Sequence, residues 1–260
     1  MILDEIAERT RERIAQCKKE LPLERLKAQA QQLPADTGFP FAKALRGEGL
    51  QFICEVKKAS PSKGVIAEQF PYMEIAREYE KAGAAAISVL TEPFYFQGGN
   101  EYLREIAQAV NIPVLRKDFT VDEYMIYEAK ILGASAVLLI CAILNDDELN
   151  RYHALATSLG LSALVEVHDE EEARRALRIG AKIIGVNNRN LKDFTVDISN
   201  SIRIRPMIPQ YVIFVSESGM KTAADIQALR ENGTDAVLIG ETLMRSADKK
   251  EALAKLRAGV

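Results

Sequence analysis

Ala82-Gly83-Ala84-Ala85-Ala86-Ile87 decides how the chain folds, because its shape returns. It recurs in Leu132-Gly133-Ala134-Ser135-Ala136-Val137, Ile179-Gly180-Ala181-Lys182-Ile183-Ile184 and Asn232-Gly233-Thr234-Asp235-Ala236-Val237. In each, a helix ends, a glycine takes the left-handed cap position and an apolar strand begins. Unrelated helix caps explain each glycine but not a spacing of about 50 residues, which is about two βα units. The glycines therefore precede every second strand.

Strands are expected at 52–57, 86–90, 113–116, 136–141, 163–167, 183–187, 212–215 and 236–239. Between them, helical periodicity covers 72–81, 101–110, 122–132, 147–159, 170–179 and 223–232, with a last helix at 249–257. Short strands alternating with helices pair in parallel, because the right-handed crossover needs a covering helix. About eight such units fit a closed barrel. An open doubly wound sheet usually carries a glycine-rich phosphate turn after its first strand, and no G-x-G-x-x-G occurs here. The expected class is α/β, a (β/α)8 TIM barrel with an N-terminal helical extension. Residues 1–260 read as one barrel domain, with 1–45 as the extension: helices at 2–20 and 23–32, stopped by Pro22 and Pro34, and one more turn at 41–45.

Composition narrows the function. The chain has 260 residues, 48% apolar, with a formal net charge of -3 and no block of like charge, so neither nucleic acid nor membrane is an expected partner. Cys17, Cys54 and Cys141 show neither metal nor disulfide spacing, which fits a reducing cytoplasm. Only His153 and His168 are present, the first read on a helix surface and the second at a strand end or helix start. A histidine metal site or a Ser-His-Asp triad is not expected. Met1-Ile2-Leu3-Asp4 opens no signal peptide, and no apolar run reaches membrane-spanning length.

Working residues of such barrels sit at the carboxyl ends of the strands. Glu55-Val56-Lys57-Lys58-Ala59-Ser60-Pro61-Ser62-Lys63-Gly64 follows the first strand. Alternation puts Ile53, Glu55 and Lys57 on one face and Phe52, Cys54 and Val56 on the other. The same step recurs: Leu115 with Lys117, Leu164 with Glu166, Gly185 with Asn187, Val215 with Glu217. Each inward position is followed two places later by a polar one, which describes an apolar barrel core under a polar mouth. Polar groups simply emerging into water are the plain alternative, and five repetitions count against it.

Ser218-Gly219 after strand seven and Gly240-Glu241-Thr242 after strand eight let backbone N–H groups approach an oxyanion, and these loops are the usual phosphate seat of the architecture. Phe94, Tyr95, Phe96 and Phe119 add aromatic surface at the same mouth, so the ligand is expected to have an apolar or aromatic half.

Together these stretches resemble the indole-3-glycerol-phosphate synthase family, over essentially the whole chain. The resemblance is carried by 55–64, Val89-Leu90-Thr91-Glu92, Phe96-Gln97-Gly98-Gly99, Leu115-Arg116-Lys117-Asp118-Phe119, Leu164-Val165-Glu166-Val167, 184–191, Ser216-Glu217-Ser218-Gly219 and 239–244. It implies a carbon–carbon carboxy-lyase of tryptophan biosynthesis that closes, decarboxylates and dehydrates 1-(2-carboxyphenylamino)-1-deoxyribulose 5-phosphate. By the resemblance, Lys117 donates a proton to the alkoxide of ring closure, and its pKa is expected to be lowered by burial and by Lys57. Lys57 also holds the substrate carboxylate. Glu166, Glu55 and Lys57 share the dehydration, and Asn187 and Glu217 orient the ligand. Ser218 binds as a donor, while Ser60, Gly219, Gly240 and Glu241 (through its N–H) seat the phosphate. Phe96 and Phe119 meet the aromatic half. No cofactor or metal is expected, the enzyme is expected to be a monomer, and the leader is expected near the mouth. With nothing after Val260, a fused isomerase is not expected.

Three rivals remain in view. A phosphosugar isomerase on this barrel would use a Cys/Asp pair, where strand one offers Glu55 and Lys57. A retaining glycosidase would use Glu166 and Glu217 but usually stacks sugars on tryptophan, of which the chain has none. A non-catalytic phosphate binder has no need of Glu55, Lys57, Lys117 and Glu166 together.

Overall fold

The computed structural model describes residues 2–190 and 193–258. Met1, Leu191, Lys192, Gly259 and Val260 lie outside, so Leu191, part of one matching stretch above, is not described. Eight parallel strands close into a barrel: β1 (Gln51–Val56), β2 (Ala86–Leu90), β3 (Val114–Lys117), β4 (Ala136–Ile140), β5 (Ser162–Val167), β6 (Ile183–Asn187), β7 (Ile213–Glu217) and β8 (Ala236–Ile239), with β8 pairing back onto β1. Gly83, Gly133, Gly180 and Gly233 hold φ values of 88°, 88°, 73° and 79°, as the repeat required. The boundaries move by one or two residues. Lys117 and Glu217 lie inside their strands rather than after them, and Lys57 lies just beyond β1.

Three helices precede the barrel: α1 (Ile2–Glu20), α2 (Leu23–Gln31) and α3 (Pro40–Ala44). The connections carry α4 (Tyr72–Lys81), α5 (Asn100–Ala109), α6 (Glu123–Ile131), α7 (Asp146–Ser158), α8 (Glu170–Arg178), α9 (Ser199–Ile204), α10 (Ala223–Glu231), α11 (Glu241–Met244) and α12 (Lys249–Arg257). Side chains of Asp122, Asn145, Asp169, Thr222 and Asp248 cap the backbone where helices begin. Pattern reading placed no helix between strands six and seven, yet α9 is there. It offers only Ser201 and Ile204 to the interior, and Ser201 is buried because Asn188 bonds it, so no apolar stripe announces the helix. A small antiparallel pair, Ala59–Ser60 with Gly64–Val65, also follows β1.

Alternate residues feed two apolar clusters. Phe52, Cys54 and Val56 face the helices, while Ile53, Leu115, Leu164 and Val215 fill the barrel interior. Phe41 and Leu45 join the inner cluster, and α3 leads directly into β1, so they close the amino-terminal end. Leu3 and Ile6 of α1 join the same cluster beside Phe119 and line the cavity at the opposite end.

The leader is fastened there by charge. Arg13 Nη2 donates to both Asp118 carboxylate oxygens at 3.0 Å, Lys18 bonds Asp122 at 2.6 Å, and the Tyr95 hydroxyl donates to Glu5 at 2.5 Å. Asp118 is fully buried and accepts further bonds from the Thr91 hydroxyl at 2.6 Å and the Phe119 N–H at 2.8 Å. No helix among the described residues is long and apolar enough to cross a membrane.

Candidate active site

Register brings the polar residues into one layer. Glu55 pairs with Ser88, Ser88 pairs with Leu115, and two places beyond Leu115 is Lys117. Leu115 leads through Ala136 to Ser162, two places before Leu164, so Lys117 leads to Glu166. Glu166 leads through Gly185 and Val215 to Glu217, and Glu217 through Leu238 and Ile53 back to Glu55. Each step around two strands climbs two residues, and the circuit closes. Glu55, Lys117, Glu166 and Glu217 are therefore one four-residue layer from alternate strands, the packing unit of this barrel. Directly below them on the same strands lie Ile53, Leu115, Leu164 and Val215. The next layer up, from the even strands, is Leu90, Ile140, Asn187 and Gly240, and all four line the cavity.

Above this floor opens a cavity of about 580 Å³. Its wall includes Glu55, Lys57, Ser60, Phe96, Lys117, Phe119, Glu166, Asn187, Glu217, Ser218, Gly219, Gly240 and Glu241, the residues to which the resemblance gave catalytic or binding roles. Phe94 and Tyr95 are absent from it. They turn to the leader instead: Arg9 stacks on the Phe94 ring at 4.4 Å, and Tyr95 bonds Glu5. The aromatic wall is thus Phe96 and Phe119, with ring centroids 6.0 Å apart.

The floor is tightly paired. Lys117 Nζ donates to Glu166 Oε2 at 3.0 Å and to Glu217 Oε2 at 3.1 Å. Lys57 Nζ lies 2.8 Å from Glu55 Oε1. Asn187 Nδ2 donates to Glu166 Oε1 at 3.3 Å, and its Oδ1 accepts the Arg189 N–H at 3.0 Å, so the amide orientation is fixed at both ends. Two glycines make room. An added Cβ on Gly185 would lie 2.1 Å from Glu217 Oε1, and one on Gly240 2.4 Å from Glu55 Oε1 and 2.9 Å from Lys57 Nζ.

This pairing overturns the expected lowering of the Lys117 pKa. Burial does disfavour the ammonium, but the carboxylates of Glu166, Glu217 and Glu55 outweigh it and raise the pKa. Lys57, the cation expected to lower it, is held by Glu55 instead. Glu166 is buried too, yet the charges of Lys117 and His168 and the bonds from Lys117 and Asn187 lower its pKa. Glu217 goes the other way. Burial raises it, Lys117 draws it down, and Glu166 and Glu55 push it up again, to about 7. Among the described residues nothing donates to Glu217 Oε1.

That shift has a stability consequence. A carboxyl protonated up to about pH 7 in the fold, but ionising from about pH 4.3 in the unfolded chain, destabilises the fold increasingly between those values and fully above them. Glu217→Gln is expected to raise Tm more at pH 8 than at pH 5, while lowering turnover. Equal gains in thermal unfolding at both pH values contradict the assignment.

The wall over β7 and β8 is built by polar clamps. Ser218 and Gly219 take φ values of 67° and 99° in succession. A serine there is strained by about 1 kcal/mol or more, and Asn188 holds it. Asn188 Nδ2 donates to the Ser218 carbonyl and to Ser216 Oγ, each at 2.9 Å, while its Oδ1 accepts the Ser201 N–H and hydroxyl. The Thr242 hydroxyl donates to the Met220 carbonyl at 2.8 Å, joining the two loops into one wall. Glu241 Oε1 accepts from Arg245 Nε at 3.1 Å and lies 3.9 Å from Lys63 Nζ, which keeps both cations at this side.

Several lining residues were not foreseen. Ile2, Leu3 and Ile6 roof the cavity from the leader, and Lys63, Arg189, Lys221 and Arg245 bring positive charge to its rim. Of these, Lys63 belongs with Lys57 to the local basic groups that in the sequence suit a small anion better than a polymer, whereas isolated arginines such as Arg245 carry no local signal. His168, read as a strand or helix end, places Nε2 3.4 Å from Glu166 Oε1. No group of three or more His, Cys, Asp or Glu able to hold a metal occurs among the described residues.

Comparison with known proteins extends these findings. Residues 3–256 match the family model described as indole-3-glycerol phosphate synthase. The chain is 57% identical to the indole-3-glycerol phosphate synthase of Ruminiclostridium cellulolyticum over 99% of each chain. It is 53% identical to that of Endomicrobium trichonymphae, over 99% of this chain and 100% of the other. Among solved structures it resembles a 3-hexulose-6-phosphate synthase (TM-score 0.64, 17% identity, covering 81% of this chain and 100% of the other). It also resembles a thiamine phosphate pyrophosphorylase from Pyrococcus furiosus (TM-score 0.61, 18% identity, 82% and 96% covered). At that identity the last two carry the fold alone.

Proposed function

The chain belongs to the indole-3-glycerol phosphate synthase family, and we propose that its chemistry takes place in the cavity above the Glu55, Lys117, Glu166 and Glu217 layer. The reaction is that of a decarboxylating lyase of tryptophan biosynthesis, acting on a phosphorylated, anthranilate-derived substrate. The observation that carries the site assignment is the closed layer itself. One cation bonded to two carboxylates, beside a second Lys–Glu pair, lies at the floor of a cavity with an aromatic side and a glycine-turn side.

In this reading the ring carbon bearing the carboxylate attacks the ketone and leaves an alkoxide. Lys117 gives it a proton. A tightly held ammonium proton moves only to a strong base, and an alkoxide is one, so the raised pKa suits this step better than a lowered one. Lys57 holds the substrate carboxylate until CO2 leaves and returns its bonding pair to the ring. The nitrogen lone pair then expels the hydroxyl, protonated by Lys57 of the Glu55 pair, as water. Glu166, held anionic, takes the proton from the carbon next to nitrogen. It returns that proton to Lys117 across their 3.0 Å contact, and Lys57 regains its proton from solvent, the one proton that loss of a carboxylate as CO2 consumes per turnover, which resets the site. Asn187 and Glu217 orient the sugar hydroxyls. Phe96 and Phe119 pack on the aromatic ring, Ser218 donates to the ligand, and Ser60, Gly219, Gly240 and the Glu241 N–H seat the phosphate.

The leader, 1–45, is read as an extension of one barrel domain that roofs the cavity. We also read the enzyme as a cytoplasmic monomer, a setting that suits the three free thiols Cys17, Cys54 and Cys141. Elution from a sizing column at the mass of two chains contradicts the monomer. The activity is tested by supplying the substrate to the purified chain. Indole absorbance should rise with one CO2 released per turnover, and a sugar isomerised without CO2 would instead favour the isomerase reading. Ser218→Asp tests the phosphate seat: a carboxylate there should weaken binding of a phosphorylated product analogue at least tenfold by charge repulsion. Unchanged affinity removes Ser218 from the seat.

A further inference from the structure

We infer that His168 is a positioning residue for Glu166, a doubly protonated ring that bridges Glu172 to the reacting floor and keeps Glu166 an oriented anion. The inference rests on the base role given to Glu166 above. His168 follows β5 directly, two places after Glu166 on the same strand. Its Nδ1 lies 3.1 Å from Glu172 Oε2, and the same oxygen accepts the His168 N–H at 2.8 Å. Its Nε2 is buried, lies 3.4 Å from Glu166 Oε1, and has no hydrogen-bond partner among the described residues. Each ring nitrogen thus faces a carboxylate oxygen. A neutral imidazole carries one lone pair, and either tautomer would aim it at a carboxylate. Only the imidazolium presents a proton to both.

The backbone is fixed as well. Asn200 of α9 donates to the His168 carbonyl at 3.0 Å and to the Asn187 carbonyl at 3.2 Å, tying the ends of β5 and β6 together. The helix that the apolar pattern did not announce therefore anchors both residues that contact Glu166 Oε1. Glu172, on α8, supplies the ring with its partner from the helical shell.

The charges around the ring support the same state. Glu166 and Glu172 face it directly, Glu217 acts from β7, and Lys117 stands on the far side of Glu166. The Cys141 thiol nearby is pushed up to about 12 by burial and stays neutral, and Arg175 acts on Glu172 from α8. Burial opposes the imidazolium, but the Glu172 bond and the Glu166 and Glu172 charges raise the His168 pKa from 6.5. As pH rises through that raised value the ring loses a proton, and Glu166 keeps only Lys117 as a cation in contact.

The test uses the chain labelled with 15N-histidine. Only two imidazoles report, and His153→Gln assigns them. At pH 7 both nitrogens of His168 should give protonated shifts, with a midpoint above 6.5 that falls by about one pH unit in Glu172→Gln and in Glu166→Gln. His168→Gln, which keeps one donor, should lower kcat about tenfold, leave KM within about threefold and remove the matching ionisation from the pH–rate profile. A His168 that is neutral at pH 7, or a His168→Gln enzyme with the parent's pH profile, overturns the inference. Full turnover in Glu166→Gln with the coupled titration still present has a different meaning. It sinks the base role of Glu166, and with it the catalytic purpose of the bridge, while the charge pairing stands.

Discussion

Lys117→Ala lowers turnover roughly a thousandfold, the middle of the range for loss of a positioned acid. Lys117 is the cation shared by Glu166 and Glu217, at 3.0 and 3.1 Å. Without it three carboxylates share one layer, and the protein answers by taking up protons rather than by holding three unpaired charges in a buried place. The enzyme then lacks both its proton donor and its ionised base. Binding of a phosphorylated product analogue should stay within about threefold of the parent, because the loops after β7 and β8 are untouched. Lys117→Met separates chemistry from packing: it restores the apolar stem and should remain as inactive as alanine. Turnover within about tenfold of the parent in either variant removes Lys117 from the donor role.

The second large effect is on stability. Asp118→Ala should cost about 3–5 kcal/mol, the usual result of removing one partner from a buried ion pair. Asp118 is fully buried and holds Arg13 through both oxygens, with Arg116 Nη2 at 3.6 Å. Arg116 is itself almost completely buried and cannot follow its partner into water. Its remaining bonds, to Glu128 at 2.6 Å, Asn100 at 3.0 Å, the Met125 carbonyl at 2.8 Å and Thr91 Oγ1 at 3.1 Å, keep it in place beside the vacated site. Urea unfolding measures the loss, and a change under about 1 kcal/mol contradicts the pairing.

Freeing Arg13 should also loosen α1, whose Leu3 and Ile6 roof the cavity, so KM should rise along with the loss of stability. The pH dependence follows from the same pair. Burial raises the Asp118 pKa, but Arg13 and Arg116 outweigh it and the net shift is downward. Its contribution is therefore present in full above the ordinary aspartate range of about 4 and disappears only as pH falls through the lowered folded value.

Much of this was legible in the sequence because two periods, 3.6 and 2, report different things. Helical periodicity with a glycine stop gave the eightfold alternation, and strand alternation gave the inward face. Parity alone therefore placed Glu55, Lys117, Glu166 and Glu217 at the mouth. The electrostatics were not legible. The direction of the Lys117 shift depends on which residues share its layer, and that follows from strand register, not from strand position. Arg13 and Asp118 meet across 105 residues of sequence, with no pattern to link them.

Phe94 looked like a cavity aromatic because it stands beside Phe96. The loop turns between them, with Glu92 accepting the N–H groups of Phe94, Tyr95 and Phe96, and so sends them to different places. His168 sits two places after Glu166, where the alternation that found Asn187 and Glu217 also points. Reading each strand end one step further would have drawn attention to it.

The site assignment is tested most directly by a crystal structure with a substrate analogue whose ketone is reduced to an alcohol, so that the ring cannot close. The analogue's phosphate should lie against Ser218, Gly219 and Gly240, its aromatic ring against Phe96 and Phe119, and its alcohol oxygen within hydrogen-bond reach of Lys117 Nζ. An analogue bound with its alcohol away from Lys117 and Glu166, or outside this cavity, contradicts the account.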